Sequence, residues 1–360
     1  MERCNRCLLP ASAPQGALDA EGICILCRSH DPGEELRSEA IRESCANDLE
    51  ATLHAACRGQ GQYDALVCLS GGKDSLYLLH RLTKEYKLNV LAFTTDVNIP
   101  DVAWSNMRKT IAKLGCDHLV YRPSDAFYRK LFRHLLRNQE QRGAVYTVSY
   151  VYAPLFESDA LRIATEKNIP LVFAGYSPGQ PDPARMIYEF SRKLICETDW
   201  TPPALKGALD FTRAELRRFW NPGSYPSGTS FPRYLAPFHA WRYDQEQVMK
   251  SVFELGLVAH RSHASPIRSN YPINWLLMYS DLQHFGFNPY APEFSALIRQ
   301  GKADRRYWRI MAPVVDFMIR HKILLGRATV QQMRWLGLED ADLRVTLPEG
   351  AYDPPLEQAP

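Results

Sequence analysis

The chain has 360 residues, 46% of them apolar and 23% charged, which is long enough for two or three globular domains with a sizeable core. Its formal net charge of +3 is too small to indicate nucleic acid or an acidic membrane surface as a partner. The first residues lack the apolar core of a signal peptide, and no apolar run approaches the roughly 20 residues that span a bilayer. We therefore expect a cytoplasmic protein without a membrane partner.

Two Cys-x-x-Cys pairs, Cys4 with Cys7 and Cys24 with Cys27, lie near the N-terminus. This spacing is typical of a four-thiolate Zn²⁺ site, in which each sharp turn directs both sulfurs of a pair to one ion. A redox pair or an iron–sulfur cluster is the alternative, although a redox pair usually opens a helix after a strand. A closed four-cysteine zinc site would fold residues 1–31 rather than catalyse a reaction.

Residues 32–61 are charged and compatible with a helix, and a glycine-containing stretch ends them. We expect a connecting helix between the zinc knuckle and the main domain.

A short apolar run at 63–69 leads into the hexapeptide Ser-Gly-Gly-Lys-Asp-Ser at 70–75, and a helix is predicted from near Lys73. A strand that feeds a glycine turn at a helix N-terminus forms an anion site, because backbone N–H groups and the helix dipole face the ligand. The predicted ligands of a bound pyrophosphate are Ser70, Gly71, Gly72, Lys73, Asp74 and Ser75. Lys73 would supply a fixed cation, and Asp74 would hold Mg²⁺ between carboxylate and phosphate.

The adjacent glycines, and the aspartate after the lysine, do not fit the Walker pattern. The hexapeptide instead resembles the PP-loop of N-type ATP pyrophosphatases. That resemblance implies that ATP is bound, with the loop on its β- and γ-phosphates, while a substrate oxygen attacks the α-phosphorus.

Strand and helix patterns alternate through this part of the chain. Strands are predicted at 64–69, 89–95, 118–121 and 169–174, and helices at 76–86, 101–114, 125–137 and 154–167. The fold class predicted is α/β, a doubly wound parallel sheet of the PP-loop type, with its ligand site at the carboxyl ends of the strands.

Three strand ends are polar or rich in glycine, at 70–75, 94–98 and 175–180, and we expect them to converge on one nucleotide. The PP-loop resemblance implies that the end of the second strand contacts adenosine, which makes Thr94 and Asp96 candidates. Gly175 is the candidate at the end of the fourth strand. The alternative, that Thr94 and Asp96 merely cap the next helix, stays open.

These patterns divide the rest of the chain into an ATP pyrophosphatase domain at 62–182, a mainly helical substrate or partner region at 183–347 and a disordered tail at 348–360. A polar loop at 222–232 is a candidate lid. The hydrogen-bonding stretch at 260–270, with Asn274 and Asp281, is a candidate for the acceptor side of the cleft, and a solvated loop with caps is the alternative.

With these motifs, the chain resembles the N-acetyl sugar amidotransferase family over about its first half. The matching stretches are Cys-Asn-Arg-Cys-Leu-Leu-Pro at 4–10, Gly-Ile-Cys-Ile-Leu-Cys at 22–27, the loop at 63–75, Gly-Cys-Asp-His at 115–118 and the helix at 125–131. The resemblance implies that ATP activates a carbonyl oxygen of a small-molecule acceptor, an amino sugar or nucleotide sugar. Ammonia from a separate glutaminase partner would then displace AMP.

Two other functions compete with this interpretation. A sulfur-inserting PP-loop enzyme would make a thioamide or a thiolated tRNA base, but residues 145–154 lack the cysteine pair of related tRNA thiolases. No basic stripe for tRNA is evident either, so tRNA is the disfavoured partner. The third possibility, a zinc-knuckle binding protein with a vestigial ATP site, conflicts with the intact hexapeptide.

Overall fold

The computed structural model describes residues 2–29, 32–56, 61–178, 188–301 and 303–353. The chain forms two compact units, each assembled from separate stretches. The cysteine unit comprises Met1–Ser38, Tyr128–Ser149 and Pro272–Ala351. The sheet unit comprises Glu39–Phe127, Tyr150–Tyr271 and Tyr352–Pro360. The region predicted at 183–347 thus divides between the two units after Tyr271.

Helices account for most of the regular structure in the described residues. In chain order they are α1 Ile25–Arg28, α2 Pro32–Ala56, α3 Lys73–His80, α4 Asp101–Leu114, α5 Asp125–Arg137, α6 Ala144–Glu166, α7 Arg192–Cys196, α8 Pro203–Lys206, α9 Arg213–Leu216, α10 Gln245–Glu254, α11 Pro266–Ser269, α12 Ile273–Phe285, α13 Ala291–Arg299, α14 Arg305–Arg320 and α15 Arg327–Leu336. A π-helical turn, Arg81–Glu85, continues α3. The connecting helix predicted at 32–61 corresponds to α2.

The strands form one large sheet and one small one. They are β1 Ala65–Cys68, β2 Val90–Thr95, β3 Asp117–Tyr121, β4 Gln139–Glu140, β5 Leu171–Phe173, β6 Arg233–Leu235 and β7 Val345–Leu347. The large sheet, in the sheet unit, has the order β3-β2-β1-β5-β6. All its neighbouring strands are parallel. The predicted fold class, a doubly wound parallel α/β sheet, is confirmed.

The order of the strands fixes where a ligand site belongs. The chain moves outward from β1 through β2 to β3, then returns to place β5 on the other side of β1. Parallel doubly wound sheets bind ligands at the carboxyl ends of the strands, where the strand order reverses. Here that switch point lies between β1 and β5.

The core of the sheet unit follows from the sequence of its central strands. β1 and β2 are apolar runs whose residues are almost all buried, as expected for strands covered by helices on both faces. Leu76 and Leu79 of α3 are fully buried in the same core, as are Ala103 and Met107 of α4. This packing fixes the start of α3, which carries the second half of the hexapeptide.

Several elements differ from the sequence prediction. The helix predicted from Pro154 begins ten residues earlier, at Ala144, and contains that proline. Proline removes one helical hydrogen bond, so it is a poor guide to a helix start when packing sustains the helix through it. β4, β6 and β7 were not predicted, since strands of two or three residues carry little pattern. Residues 348–353, placed in the predicted disordered tail, form turns and bury the side chain of Tyr352, while 354–360 lie outside the described residues.

The cysteine unit has a small core of its own. The four motif cysteines are buried with Leu9, Ala13 and Ile23, and Phe287 and Ile298 pack against this cluster. The guanidinium of Arg3 donates to Asp316 at 3.1 Å, and Arg305 donates to the carbonyl of Asn5 at 2.6 Å. The N-terminal knuckle is therefore packed onto the C-terminal helices of the same unit.

Candidate functional site

The hexapeptide forms the turn between β1 and α3, at the switch point of the sheet. Gly71 has φ +78°, a left-handed conformation that side chains rarely adopt. A Cβ atom at this position would lie 2.4 Å from the carbonyl oxygen of Ala103 in α4. Gly71 is thus required both by its backbone conformation and by the close approach of α4.

The two serines of the hexapeptide shape the turn. The hydroxyl of Ser75 accepts from the backbone N–H of Ser70 at 3.3 Å and donates to the carbonyl of Gly72 at 3.0 Å. The hydroxyls of Ser70 and Ser75 lie 3.2 Å apart. Both oxygens consequently lie at the N-terminus of α3, where backbone N–H groups favour an anion.

Lys73 and Asp74 form an ion pair that is largely buried. The Lys73 ammonium donates to the Asp74 carboxylate at 2.6 Å, and their side chains are 7% and 13% exposed. The hydroxyl of Tyr243 donates to the other Asp74 oxygen at 2.8 Å, and the Lys73 ammonium lies 5.9 Å from the centre of the Tyr243 ring. Tyr243 therefore holds one oxygen of the Asp74 carboxylate while Lys73 holds the other.

Gly175 lies on the other side of the switch point, just beyond β5. A Cβ atom there would lie 2.9 Å from the backbone nitrogen of Ser75. A larger residue at this position would press on the first turn of α3. The structure thus brings Gly175 against the hexapeptide, as predicted for two strand ends that share one site, while its role in ATP binding stays a prediction. The last residues of the stretch predicted at 175–180 lie outside the described residues.

Asn106 links the hexapeptide to the stretch at 260–270. Its buried side-chain amide donates to the carbonyl of Gly71 at 3.1 Å and to the carbonyl of His263 at 3.0 Å. Sequence reasoning missed Asn106 and Tyr243, because each lies far along the chain from the residue that it contacts. The contact from the 260–270 stretch to Asn106 is made by the backbone carbonyl of His263, not by one of the polar side chains that the sequence singles out.

Thr94 and Asp96 occupy different environments at the end of β2. The hydroxyl of Thr94 is buried, donates to the carbonyl of Leu69 at 2.6 Å and lies 2.8 Å from Nε2 of His118. Burial lowers the pKa of His118, which favours a neutral ring beside Thr94. The Asp96 carboxylate lies 3.5 Å from the guanidinium of Arg122. The Thr94 hydroxyl is occupied within the sheet, and contact of Thr94 or Asp96 with adenosine stays a prediction.

A second buried acid lies next to the end of β2. Asp159 of α6 accepts from the hydroxyl of Thr95 at 3.2 Å and from the guanidinium of Arg162 at 2.6 Å. Burial raises the pKa of Asp159, although Arg162 acts in the opposite direction. This network gives the end of β2 a rigid polar support, and no motif in the sequence indicates it.

Asp281, a candidate for the acceptor side of the cleft, has a structural role within the cysteine unit. Its buried carboxylate accepts from the backbone N–H groups of Ala144 at 2.5 Å and Val145 at 3.0 Å. These are unpaired donors of the first turn of α6, so Asp281 acts as a cap from a distant helix. Asp281 therefore caps α6 instead of facing an acceptor. A role for Asn274 in acceptor binding stays a prediction.

The buried carboxylate predicts how stability depends on pH. Burial raises the pKa of Asp281 to about 7, against two N–H donors that act to lower it. The folded state then binds this proton more tightly than the unfolded state, so the free energy of unfolding should fall as pH rises from about 4 to 7. We expect Asp281→Asn to remove this component, a few kcal/mol at about 1.4 kcal/mol per pKa unit. Urea unfolding of both proteins across this range is the measurement, and parallel curves would contradict the expectation.

The four motif cysteines form the candidate metal centre. Their sulfurs all lie within 4.8 Å of one another, with Cys4 and Cys27 at 3.8 Å and Cys7 and Cys24 at 3.6 Å. Four thiolates at 2.3 Å from one tetrahedral ion would lie about 3.8 Å apart. A four-iron cluster binds each thiolate through a separate iron, which requires wider spacing. The sulfur positions therefore fit a single tetrahedral ion.

Hydrogen bonds to sulfur favour a thiolate at Cys4, while burial raises the pKa of Cys24 and of Cys27. The backbone N–H groups of Arg6 and Cys24 lie 3.4 and 3.3 Å from Sγ of Cys4. Although burial acts to raise it, such backbone donors lower the pKa of Cys4 to about 6. The guanidinium of Arg299 donates to Sγ of Cys7 at 3.3 Å. These contacts would offset the negative charge of four thiolates around one cation.

Solved structures with some likeness to this chain include the following three. The U34-tRNA thiolase NcsA from Methanococcus maripaludis with its 4Fe-4S cluster is 13% identical, with a TM-score of 0.36, over 96% of this chain and 90% of that one. The NH3-dependent NAD synthetase from Campylobacter jejuni is 14% identical, with a TM-score of 0.35, over 84% of this chain and 97% of that one. The NMN synthetase from Francisella tularensis is 12% identical, with a TM-score of 0.35, over 85% of this chain and 97% of that one. Similarity at this level does not assign a function.

No protein-family model matches the chain, and no curated protein matches it either. None of the helices formed by the described residues combines the length and the apolar character that a membrane-spanning segment requires.

Proposed function

We propose that the chain is an ATP-dependent amidotransferase that adenylates a carbonyl oxygen of a small molecule, an N-acetylated sugar or nucleotide sugar. Ammonia, delivered by a glutaminase partner, then displaces AMP. The observation that supports this most directly is the hexapeptide at 70–75, folded as a glycine turn at the switch point of a parallel sheet, with Lys73 and Asp74 on its helix. The family resemblance of the sequence supplies the choice of acceptor.

The chemistry explains why ATP is needed. An amide oxygen is a poor leaving group, so the carbonyl oxygen first attacks the α-phosphorus of ATP and the bond to pyrophosphate breaks. Ammonia then adds to the activated carbon, AMP departs with the former carbonyl oxygen, and a proton is lost to give the amidine. The nucleophile in each step belongs to a substrate, so positioning and electrostatic stabilisation are the protein's main contributions.

Lys73 would stabilise the departing pyrophosphate. Its ammonium is almost buried beside the Tyr243 ring, so its attraction to negative charge that develops nearby would be only weakly screened by water. The N–H groups and hydroxyls at the start of α3 would complete the anion site. Serine, glycine and lysine of the hexapeptide would thus act together on one group.

Asp74 is the residue that would hold Mg²⁺. Mg²⁺ in nucleotide sites usually takes one or two carboxylates, with phosphates and water completing the shell, and a single carboxylate at this turn fits that donor set. The ion would supply neutralisation of phosphate charge. Phosphate at the turn would replace the Asp74 carboxylate as the partner of Lys73 and leave the carboxylate available to a cation.

The cysteine unit would hold Zn²⁺ on Cys4, Cys7, Cys24 and Cys27. The sulfur spacing fits one tetrahedral ion, and four thiolates leave no open position for a substrate. We therefore assign this ion a structural role, in which it stabilises the knuckle against the helices of its own unit.

Sulfur insertion is the main alternative, and the thiol next to the hexapeptide does not support it. Cys68 ends β1, and its sulfur lies 3.5 Å from the hydroxyl of Tyr234. Burial raises the pKa of Cys68 to about 11, so it is a protonated thiol near neutral pH. Such a thiol is a poor carrier of sulfur, because the thiolate is the nucleophile.

The decisive experiment is phosphorus NMR of ATP turnover with Mg²⁺ and a pool of amino sugars and nucleotide sugars. Ammonium and sulfide are compared as second substrates, and Lys73→Ala serves as the blank. AMP and pyrophosphate with ammonium would support the amidotransferase and identify its acceptor by mass analysis. The same products with sulfide alone would favour thioamide formation, while ADP and phosphate would refute adenylation.

Tyr243 provides a test of how Asp74 is positioned. Tyr243→Phe removes the O–H that donates to the carboxylate but keeps the ring beside Lys73. A hydrogen bond to a charged group is worth about 1.5–3 kcal/mol, so we expect turnover to fall roughly tenfold and the Mg²⁺ concentration for half-maximal turnover to rise. Tyr225→Phe, in a separate aromatic cluster with Trp220, is the matched control. An unchanged Mg²⁺ dependence would show that Tyr243 does not position Asp74.

A further inference from the structure

Helix α14 of the cysteine unit carries a continuous apolar stripe on its exposed face. Tyr307, Ile310, Val314 and Phe317 are 52%, 63%, 38% and 55% exposed. Their spacing of three, four and three residues places all four along one line of the helix. Leu324, beyond the end of the helix, is a further exposed apolar side chain, at 63%. Large apolar side chains exposed singly are ordinary, but a contiguous row is typical of an interaction surface.

The spacing also indicates the shape of what would cover the stripe. Apolar residues that alternate at three and four form the seam of paired helices, where each side chain enters a gap on the facing helix. The face of α14 away from the stripe is already used, since Ile319 is fully buried there. The exposed seam is therefore available to a second helix.

The charge along one edge of the stripe favours an acidic partner. Arg306, Pro313 and Arg320 lie along this edge in the helical repeat and Arg309 lies one line farther from the stripe, while Met311 and Met318 occupy the other edge. Within the described residues, neither Arg306 nor Arg309 forms an ion pair. The acid inside α14, Asp316, is buried and accepts from Arg3 and from Asn288, each at 3.1 Å. Arg320 is half-buried and donates to the carbonyl of Gly286 at 2.6 Å, so the exposed positive charge beside the stripe belongs to Arg306 and Arg309.

A second copy of the chain does not complement this edge. Antiparallel pairing of two α14 helices would bring the arginine edges together, and parallel pairing would place arginines opposite methionines. A lipid surface is also a poorer fit, because membrane-binding helices usually carry basic residues along both borders of a wide apolar face. Here the apolar stripe is narrow and the basic residues lie on one side.

We propose that the α14 stripe is a docking site for an amphipathic helix of another protein, with an apolar seam edged by aspartate or glutamate. The apolar seam would supply affinity, and the arginine edge would select the acidic partner and its register. This proposal does not depend on the reaction catalysed by the sheet unit.

The test uses the full chain and two labelled synthetic helical peptides of several heptads, with leucine and isoleucine along the seam. One peptide has glutamate at both flanking positions, and the other has lysine there. Fluorescence anisotropy should show saturable binding of the glutamate peptide only. Ile310→Asp should weaken it about tenfold or more, while Leu209→Asp, at an exposed leucine in the sheet unit, should leave it unchanged.

Charge reversal provides the second arm, and it does not alter the apolar stripe. Arg306→Glu with Arg309→Glu should transfer the preference from the glutamate peptide to the lysine peptide, with thermal unfolding unchanged. Equal binding of both peptides, binding insensitive to these substitutions, or no saturable binding of the glutamate peptide would overturn the proposal. A dimer in light scattering that Ile310→Asp dissociates would also overturn the proposal. Binding to phosphatidylserine vesicles in place of the peptide would overturn it as well.

Discussion

Replacement of Lys73 by alanine should abolish AMP and pyrophosphate formation, with a loss of about 10²–10³-fold or more in turnover. Lys73 is the cation at the start of α3, and its ammonium is almost buried, so its interaction with developing phosphate charge is only weakly screened by water. Removal of one fixed electrostatic contact of this kind typically costs two to three orders of magnitude in kcat. Phosphorus NMR of ATP turnover is the measurement. Lys109→Ala, at an exposed position of α4, is the control.

The ion pair with Asp74 has to be separated from the catalytic effect. Lys73→Ala leaves the Asp74 carboxylate with Tyr243 alone, and removing one partner of a buried pair destabilises a protein by roughly 3–5 kcal/mol. The double variant Lys73→Ala/Asp74→Asn removes both charges and should recover most of this stability without recovering turnover. Asp74→Ala alone should also lose AMP formation. Wild-type turnover in any of these variants would refute the assignment of the loop.

The parts of this site that the sequence predicts are those encoded locally. Strand, glycine turn and helix start occupy one continuous stretch, so the residues at 70–75 and the direction of their backbone donors follow from the pattern itself. The parallel sheet is also predictable, because β1, β2 and β5 are apolar runs separated by helical patterns. The four cysteines converge for the same reason, since each pair is set by its own tight turn.

Contacts made across long separations were not predictable from one sequence. Tyr243 lies 169 residues beyond Asp74, and no spacing rule connects a tyrosine in a loop to an acid in a helix. Asp281 was expected to face a ligand because it is a polar residue on a helix near a polar stretch. It caps α6 instead, which depends on tertiary packing that only the fold specifies. The same holds for the short strand β6, whose place beside β5 is fixed by tertiary contacts.

Loss of the metal centre should have the second large effect, on stability rather than on chemistry. Cys24→Ser removes one of four thiolates that enclose a site sized for one tetrahedral ion. Structural zinc in small domains binds with an apparent free energy of about 10–16 kcal/mol, which is folding free energy when the unfolded chain has no site. We expect the variant to lose its bound metal, and the thermal transition to fall by about 10 °C or more. Elemental analysis and calorimetry measure both.

Three further variants serve as comparisons for Cys24→Ser. Cys45→Ser changes a half-buried thiol of α2 outside the cluster and should keep both metal and stability. Arg299→Ala removes the guanidinium that donates to Cys7 and should keep the metal at neutral pH, but lower its affinity by about 10–100-fold in a chelator competition. Lys73→Ala should retain a full equivalent of metal, because the hexapeptide and the cysteines belong to different units. Full stability of Cys24→Ser without metal would mean that the cluster does not hold the knuckle together. Detection of iron instead of zinc in the wild-type protein would change the assignment of the ion.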